Sequence, residues 1–425
     1  VFLDKIFKDN FLKAGSIVMC GSFLVGGLNY VFNLVMGRML GPEKFGEIVA
    51  LMGLGVILGV PSATILRFMT KYSADFKTKK AYSSFASLFY LVNKYSLGVG
   101  IIILLLFWAL AQSISSSMQI EILPIFIFAF SSPISLAGSV TRGSLLGLQK
   151  FIPYSVASII MAFFKLGLAI LLVALGFSVL GVVIALVVSS LISYFYSLNK
   201  VKVYLQKNKK GSPALKTKIT WSEISPYLSI VFWTSLFLIL FSNTDVVLAK
   251  LFLSPYLAGQ YAALSVTGKI IVYGAGAFVT AMFPMVSAAK ANGDGTEKKI
   301  LINSIGLISA LGLFLLGFFI FVPNFVIKML FGQEYLLIAP YLGCFGIISL
   351  LSILSIVLIN YFMAANIKTY FYPFVAGVLL QLLLIWRFHA NIAEITIDML
   401  ISACVIFILM LVTYIRYDRR LSEYK

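Results

Sequence analysis

Four ionisable side chains sit inside long apolar runs of this 425-residue chain: Lys94, Lys165, Lys269 and Asp245. A charge in hydrocarbon costs at least ~2.5–3.5 kcal/mol, so such groups persist where they face a partner or a water-filled cavity. Lys165, in Met161-Ala162-Phe163-Phe164-Lys165-Leu166-Gly167, falls near the middle of its run, too deep to reach a membrane surface easily. Lys94 is nearer an end, where its long stem can carry the ammonium to the surface. Asp245, in Asn243-Thr244-Asp245, is the sole acid within any run and stands in reach of two chemistries. It can neutralise Lys269, or, left unpaired, it can take up a proton or cation together with Asn243. Three lysines against one aspartate favour an anionic ligand over a cationic one. Asn29 and Asn33, four apart on one helical face, can contact hydroxyl groups or bond across helices.

These side chains need elements that hold them in a bilayer. The chain is 61% hydrophobic and 11% charged, whereas a soluble domain has about 25% charged residues. A span takes about 20 mainly apolar residues. Cutting the chain at its charge and Pro/Gly clusters predicts twelve of them, at 13–36, 44–66, 84–111, 121–148, 153–175, 179–199, 226–252, 260–289, 299–322, 336–364, 369–388 and 394–416. With the N-terminus in the cytoplasm, the inner loops carry most of the basic residues, seven lysines between Lys200 and Lys218 among them. The outer loops hold only Arg38, Lys44, Lys250, Lys328 and Arg387. This agrees with the positive-inside rule, and it places both termini in the cytoplasm. The net charge of +18 is then a layer of lysines facing anionic lipid, and no nucleic-acid partner is expected. Val1 to Lys13 reads as a short interfacial helix. Cys20, Cys344 and Cys404 have no metal or redox spacing and read as small buried hydrophobes.

One motif occurs twice. Leu40, Pro42, Gly46, Ala50 and Leu51 reappear, at a constant offset of 213, as Leu253, Pro255, Gly259, Ala263 and Leu264. The offset is half the chain, and a membrane protein built from two like halves is usually a transporter. The expected architecture is therefore all-α and polytopic: twelve transmembrane helices in two six-helix bundles around a central V-shaped cavity. The bundles are expected at residues 1–205 and 225–425, joined by a basic cytoplasmic linker at 206–224. In Gly37-Arg38-Met39-Leu40-Gly41-Pro42-Glu43 the glycines permit a tight reversal, Pro42 opens the next helix and Glu43 lies in its first turn. Arg38 pairs with Glu43 or Glu47, or else faces a cavity. Both copies fall at outer ends of hairpins, which suits a hinge better than a binding site.

The string Asn33, Gly37-Arg38, Leu40-Gly41-Pro42, Phe45-Gly46 and Leu51 resembles the N-terminal pattern of the O-antigen and polysaccharide flippases of the multidrug/oligosaccharidyl-lipid/polysaccharide exporter superfamily. Gly143-Ser144-Leu145-Leu146-Gly147-Leu148-Gln149-Lys150-Phe151 and Phe283-Pro284, where such proteins break a helix, fit the same pattern. The resemblance implies a plasma (inner) membrane flippase that carries a lipid-linked oligosaccharide, usually on undecaprenyl pyrophosphate, to the outer leaflet by alternating access. It also implies a cavity lined mainly by spans one, two, seven and eight. On that reading Lys269, Lys165, Lys94, Arg38, Asn29 and Asn33 are the candidate substrate contacts, and Asp245 with Asn243 the candidate ion-coupling group for H+ or Na+. No cofactor or metal is expected; the partners are membrane lipids and polysaccharide assembly proteins, and a monomer is expected.

Three rivals stand beside this. A multidrug exporter of the same superfamily would want acids in its cavity. A lipid II flippase generally has fourteen spans. A membrane polymerase or glycosyltransferase needs a large outer loop bearing carboxylates, Arg or His. Here the outer loops are short, His389 is the one histidine, and Glu394 with Asp398 reads as a solvated helix N-terminus. No phosphate loop or nucleophile triad appears, so an enzyme is not expected.

Overall fold

The computed structural model describes residues 10–206, 221–292, 296–365 and 367–423. Most of the basic linker at 206–224 and the start of the N-terminal interfacial helix lie outside these. The described residues are almost wholly helical: α1 Asn10–Leu58, α2 Val60–Thr78, α3 Tyr82–Met118, α4 Ile122–Ala129, α5 Ser131–Gly147, α6 Phe151–Ala174, α7 Ser178–Gln206, α8 Trp221–Phe252, α9 Pro255–Gly268, α10 Ile270–Asn292, α11 Glu297–Phe321, α12 Pro323–Leu330, a 3-10 turn Gln333–Tyr341, α13 Leu342–Ala364, α14 Phe371–Arg387 and α15 Ile392–Glu423. In lipid only such internally hydrogen-bonded segments can cross. Large apolar side chains such as Ile101, Ile102, Leu105 and Leu106 of α3 therefore point outward, toward hydrocarbon. Cys20 is exposed on such a face beside Phe23 and Leu24, so it is not a core residue. The chain is a multi-pass membrane protein.

Each predicted span overlaps a helix, but among the described residues nine stretches are long and apolar enough to cross, with α14 a shorter apolar helix. Spans one and two are joined in α1, span eight is divided between α9 and α10, and span eleven is the short α14. Gly41, at φ 71° and ψ 175°, interrupts α1 between spans one and two, a left-handed backbone that suits glycine. Span two breaks again at Gly59, ahead of Pro61 in the first turn of α2. Span four breaks at Phe130 and span eight at Lys269, while α10 runs unbroken through residues 283 and 284. The expected break in span eight thus falls about four turns earlier than Phe283-Pro284.

Contacts divide the chain into two compact units, the first Val1–Phe32 with Ala50–Ile239, the second Asn33–Val49 with Leu240–Lys425. In the first, α5 crosses α2 closely because Gly143 and Gly147, four apart, present bare backbone to it. A Cβ on Gly143 would stand 2.6 Å from the Leu66 carbonyl oxygen, and one on Gly147 would overlap that of Thr70. Phe68, Met69, Phe76, Phe85, Phe89 and Leu145 form an apolar cluster beneath this crossing. In the second unit α13 is the central helix, with Phe345, Tyr361 and Phe362 fully buried or nearly so.

The repeated motif meets itself within the second unit. Gly46 and Gly259, equivalent under the 213-residue offset, pack backbone to backbone. A Cβ on Gly46 would lie 2.9 Å from Gly259 Cα and N, and one on Gly259 would overlap the Pro42 carbonyl. Phe45 is buried between Phe331 and Tyr335, with ring centroids 5.6 and 6.5 Å away.

Candidate functional site

In the first unit a cavity of about 300 Å3 opens among α1, α2, α3, α5, α6 and α7, the lower end of the range typical of ligand pockets. Met52, Gly55 and Phe107 supply apolar wall, and eight serines line it, Ser62, Ser135, Ser190 and Ser197 among them. Ser62 and Ser135 are 3.2 Å apart across it. Ser197 Oγ is buried and has no hydrogen-bond partner among the described residues. Two cations line the same space, Lys165 from α6 and Arg142 from α5, and no aspartate or glutamate does.

Lys165 is only 7% exposed. Its Nζ donates to Asn29 Oδ1 and lies 4.2 Å from the centre of the Phe32 ring. Both of those partners belong to α1, immediately before Asn33, where the chain passes into the other unit. Arg142 donates from Nε to the Gly138 carbonyl at 3.3 Å, and its Nη1 lies 4.0 Å from Met161 Sδ. Met161 is one helical turn from Lys165 on α6, so the two cations approach one face of that helix. Arg142 lies near the end of the predicted span at 121–148, beside the Gly143/Gly147 crossing of α5 on α2, and the structure brings it to the cavity.

The second unit holds the other intramembrane charges. Asp245 is fully buried and accepts from Ser265 Oγ at 2.8 Å, from Tyr261 OH at 3.5 Å, and from Lys269 Nζ at 3.3 and 3.4 Å. Of the two chemistries open to it, the structure shows mutual neutralisation with Lys269. Lys269 also marks the break between α9 and α10, so the ion pair ties α8 to that break. Asn243 lies near Asp245 on α8 and is half-buried.

Arg38 takes neither course expected of it. Its Nε donates to the Leu330 carbonyl at 2.9 Å and its Nη2 to that of Met329, so it satisfies the C-terminal carbonyls of α12, which have no intrahelical donors. The Tyr335 hydroxyl donates to the Gly37 carbonyl at 2.9 Å beside it. Arg38 therefore caps the C-terminal end of α12 in this structure. Lys94 does not line the cavity: it is exposed on α3 next to Tyr95, which suits its long stem reaching the surface. Asn29 and Asn33, grouped by spacing, are divided, Asn29 with the first unit and Asn33 with the second. Two ionisable residues were misplaced as solvated. Lys250 is 3% exposed with no hydrogen bond to Nζ among the described residues, and Asp398 is 4% exposed with Oδ2 unpartnered. Glu394 stands in the first turn of α15, accepting from the Ala390 N–H at 2.9 Å while its own N–H donates to Asn391 Oδ1 at 3.0 Å.

The chain is thus a polytopic helical bundle whose first unit holds a basic, hydroxyl-lined cavity. Solved structures share this fold. The chain resembles an inward-facing multidrug resistance MATE family transporter of the MOP superfamily, with 13% identity, a TM-score of 0.70 and coverage of 96% of this chain and 98% of that one. It resembles the eukaryotic MATE transporter AtDTX14 at 14% identity and a TM-score of 0.70, with 96% of each chain covered. It also resembles a MOP superfamily transporter from Pyrococcus furiosus, described as having a binding pocket of reverse polarity, at 15% identity and a TM-score of 0.65, over 94% and 95% of the two chains. No curated protein matches the chain significantly. The family described as polysaccharide biosynthesis protein matches residues 35–340, and the chain belongs to it.

Proposed function

We propose that this protein is a flippase that carries a lipid-linked oligosaccharide, on a polyprenyl diphosphate such as undecaprenyl pyrophosphate, from the inner to the outer leaflet of the plasma membrane. The observation that carries this reading is the lining of the first unit's cavity by Arg142, Lys165 and eight serines with no acid. A guanidinium and an ammonium in a low-dielectric wall match the two negative charges of a diphosphate, and the hydroxyls give a sugar neutral hydrogen-bonding partners. Membership of a polysaccharide biosynthesis family supports the same cargo. An organic cation would be repelled by this lining, and the fold shared with multidrug transporters does not by itself name the cargo.

On this reading the chain has twelve spans in two halves, and transport runs by alternating access driven by an ion gradient or the membrane potential. Lys165 and Arg142 bind the diphosphate, and Asn29 holds Lys165 while the site is empty. Asp245 couples an ion only by giving up Lys269. The test is reconstitution in proteoliposomes with a labelled polyprenyl-diphosphate oligosaccharide, following exposure of the glycan to an external glycosidase. Wild-type protein should speed exposure, and Lys165→Ala should abolish it while still inserting. Export of a cationic dye with no effect on the glycan lipid would overturn the proposal in favour of a multidrug exporter.

A further inference from the structure

The cavity's two cations are held differently. Arg142 is fixed by a carbonyl of its own helix and by the Met161 sulfur, and its Nη2 group makes no hydrogen bond among the described residues. Lys165 is bound to a neighbouring helix through a neutral amide oxygen and an aromatic face. Neither cation has a carboxylate within 4.0 Å among the described residues. A phosphate oxygen is a stronger acceptor for an ammonium than an amide carbonyl, because a bond ionised on both sides is roughly twice as strong as a neutral one. The lysine stem has four rotatable carbons, whereas Arg142 is anchored at two points.

We propose that Lys165 is a latch in a phosphate site anchored by Arg142. A phosphate or diphosphate ester held on the free edge of the Arg142 guanidinium competes with Asn29 and Phe32 for the Lys165 ammonium, and binding draws Lys165 off α1. Ser197 Oγ, buried and unpartnered in the same wall, is a donor for a remaining phosphate oxygen. The residues released, Asn29 and Phe32, lie in the turn of α1 where the chain leaves the first unit for the second at Asn33, to return at Ala50. Occupancy of the site is thereby reported to the helix that leaves it. This inference rests on the anionic cargo proposed above and adds how that cargo is sensed.

The latch has a signature that a merely structural Lys165–Asn29 bond lacks: removing the partner should tighten ligand binding. Where a ligand must first break a competing hold, apparent affinity is reduced by the fraction of protein held. One hydrogen bond of ordinary strength corresponds to a factor of about 2–10. The experiment titrates inorganic pyrophosphate, and separately undecaprenyl diphosphate, against full-length protein in nanodiscs of zwitterionic lipid, read by native mass spectrometry and thermal shift. Asn29→Ala and Phe32→Leu should each bind about 2–10-fold more tightly than wild type, Arg142→Gln and Lys165→Gln at least 10-fold more weakly. The double variant Asn29→Ala/Lys165→Gln should lose the gain of Asn29→Ala. Unchanged or weaker binding by both Asn29→Ala and Phe32→Leu overturns the latch, and wild-type affinity in Arg142→Gln overturns the site. Binding of phosphatidylglycerol but not pyrophosphate would assign the cavity to ordinary lipid headgroups and overturn it as well. If pyrophosphate binds and the latch variants behave as expected but no glycan lipid is flipped, only the proposed function fails. If flipping and pyrophosphate binding depend on Arg142 and Lys165 but Asn29→Ala and Phe32→Leu bind no more tightly than wild type, only this inference does.

Discussion

Replacing Gly259 by alanine tests the tightest glycine contact among the described residues. The new methyl would overlap the Pro42 carbonyl, and the neighbouring atoms, Pro42 C and Cα, are also backbone. No rotamer change relieves such a clash, so the two segments must part. Overpacking of this kind costs about 1–3 kcal/mol, and a contact with backbone belongs at the upper end. Gly→Ala within a helix returns about 0.5–1 kcal/mol through lower backbone entropy, leaving a net loss of about 2 kcal/mol. Gly46→Ala meets Gly259 at 2.9 Å, an easier separation, and should lose less. Gly27→Ala, with nothing within 4 Å of its Cβ, should lose nothing and gain the helix term. The measurement is the apparent melting midpoint of detergent-solubilised protein by fluorescence-detected size exclusion. The expected order is Gly27→Ala at or above wild type, then Gly46→Ala, then Gly259→Ala several degrees below. If Gly259→Ala melted with wild type, the two copies of the motif would not touch as described.

Asp245→Asn should leave the partly buried Lys269 without its counter-ion and cost about 1–3 kcal/mol, seen as lower yield and melting midpoint. Asp245→Asn/Lys269→Met should restore most of it, and gradient-driven transport that is equal in wild type and Asp245→Asn would remove Asp245 from ion coupling. Arg38→Ala removes two hydrogen bonds from the end of α12 and should cost about 1 kcal/mol in stability, while pyrophosphate affinity stays at the wild-type value.

The membrane class and the approximate spans were legible because a hydrocarbon solvent forces long apolar runs, and composition records them directly. Lys165 was legible for the same reason: a lysine in the middle of such a run has no bland explanation. Arg38 was not, since its acceptors lie 291 and 292 residues downstream and local spacing offered only Glu43 and Glu47. Arg142 was hidden by its place near the end of a span, where depth depends on how tightly the helix packs. The break at Gly59 carried a signal in Gly59-Val60-Pro61, but the apolar run continues across it and hydropathy does not register a turn. Lys250 and Asp398 lie at span ends that read as solvated, and tertiary packing buries them.

The grouping of Asn33–Val49 with the second unit has a consequence for biogenesis. Chains emerge from the ribosome N-terminus first, and domains generally fold in that order. Here the tip of the first hairpin is among the earliest segments made, yet Phe45, Gly37 and Arg38 find their partners only at Leu330, Phe331 and Tyr335. About three-quarters of the chain must be synthesised before these three residues meet those partners. A nascent chain truncated before α12 therefore leaves Arg38 without its two carbonyl acceptors and Phe45 without its aromatic partners, and the tip of the first hairpin completes its packing late in synthesis.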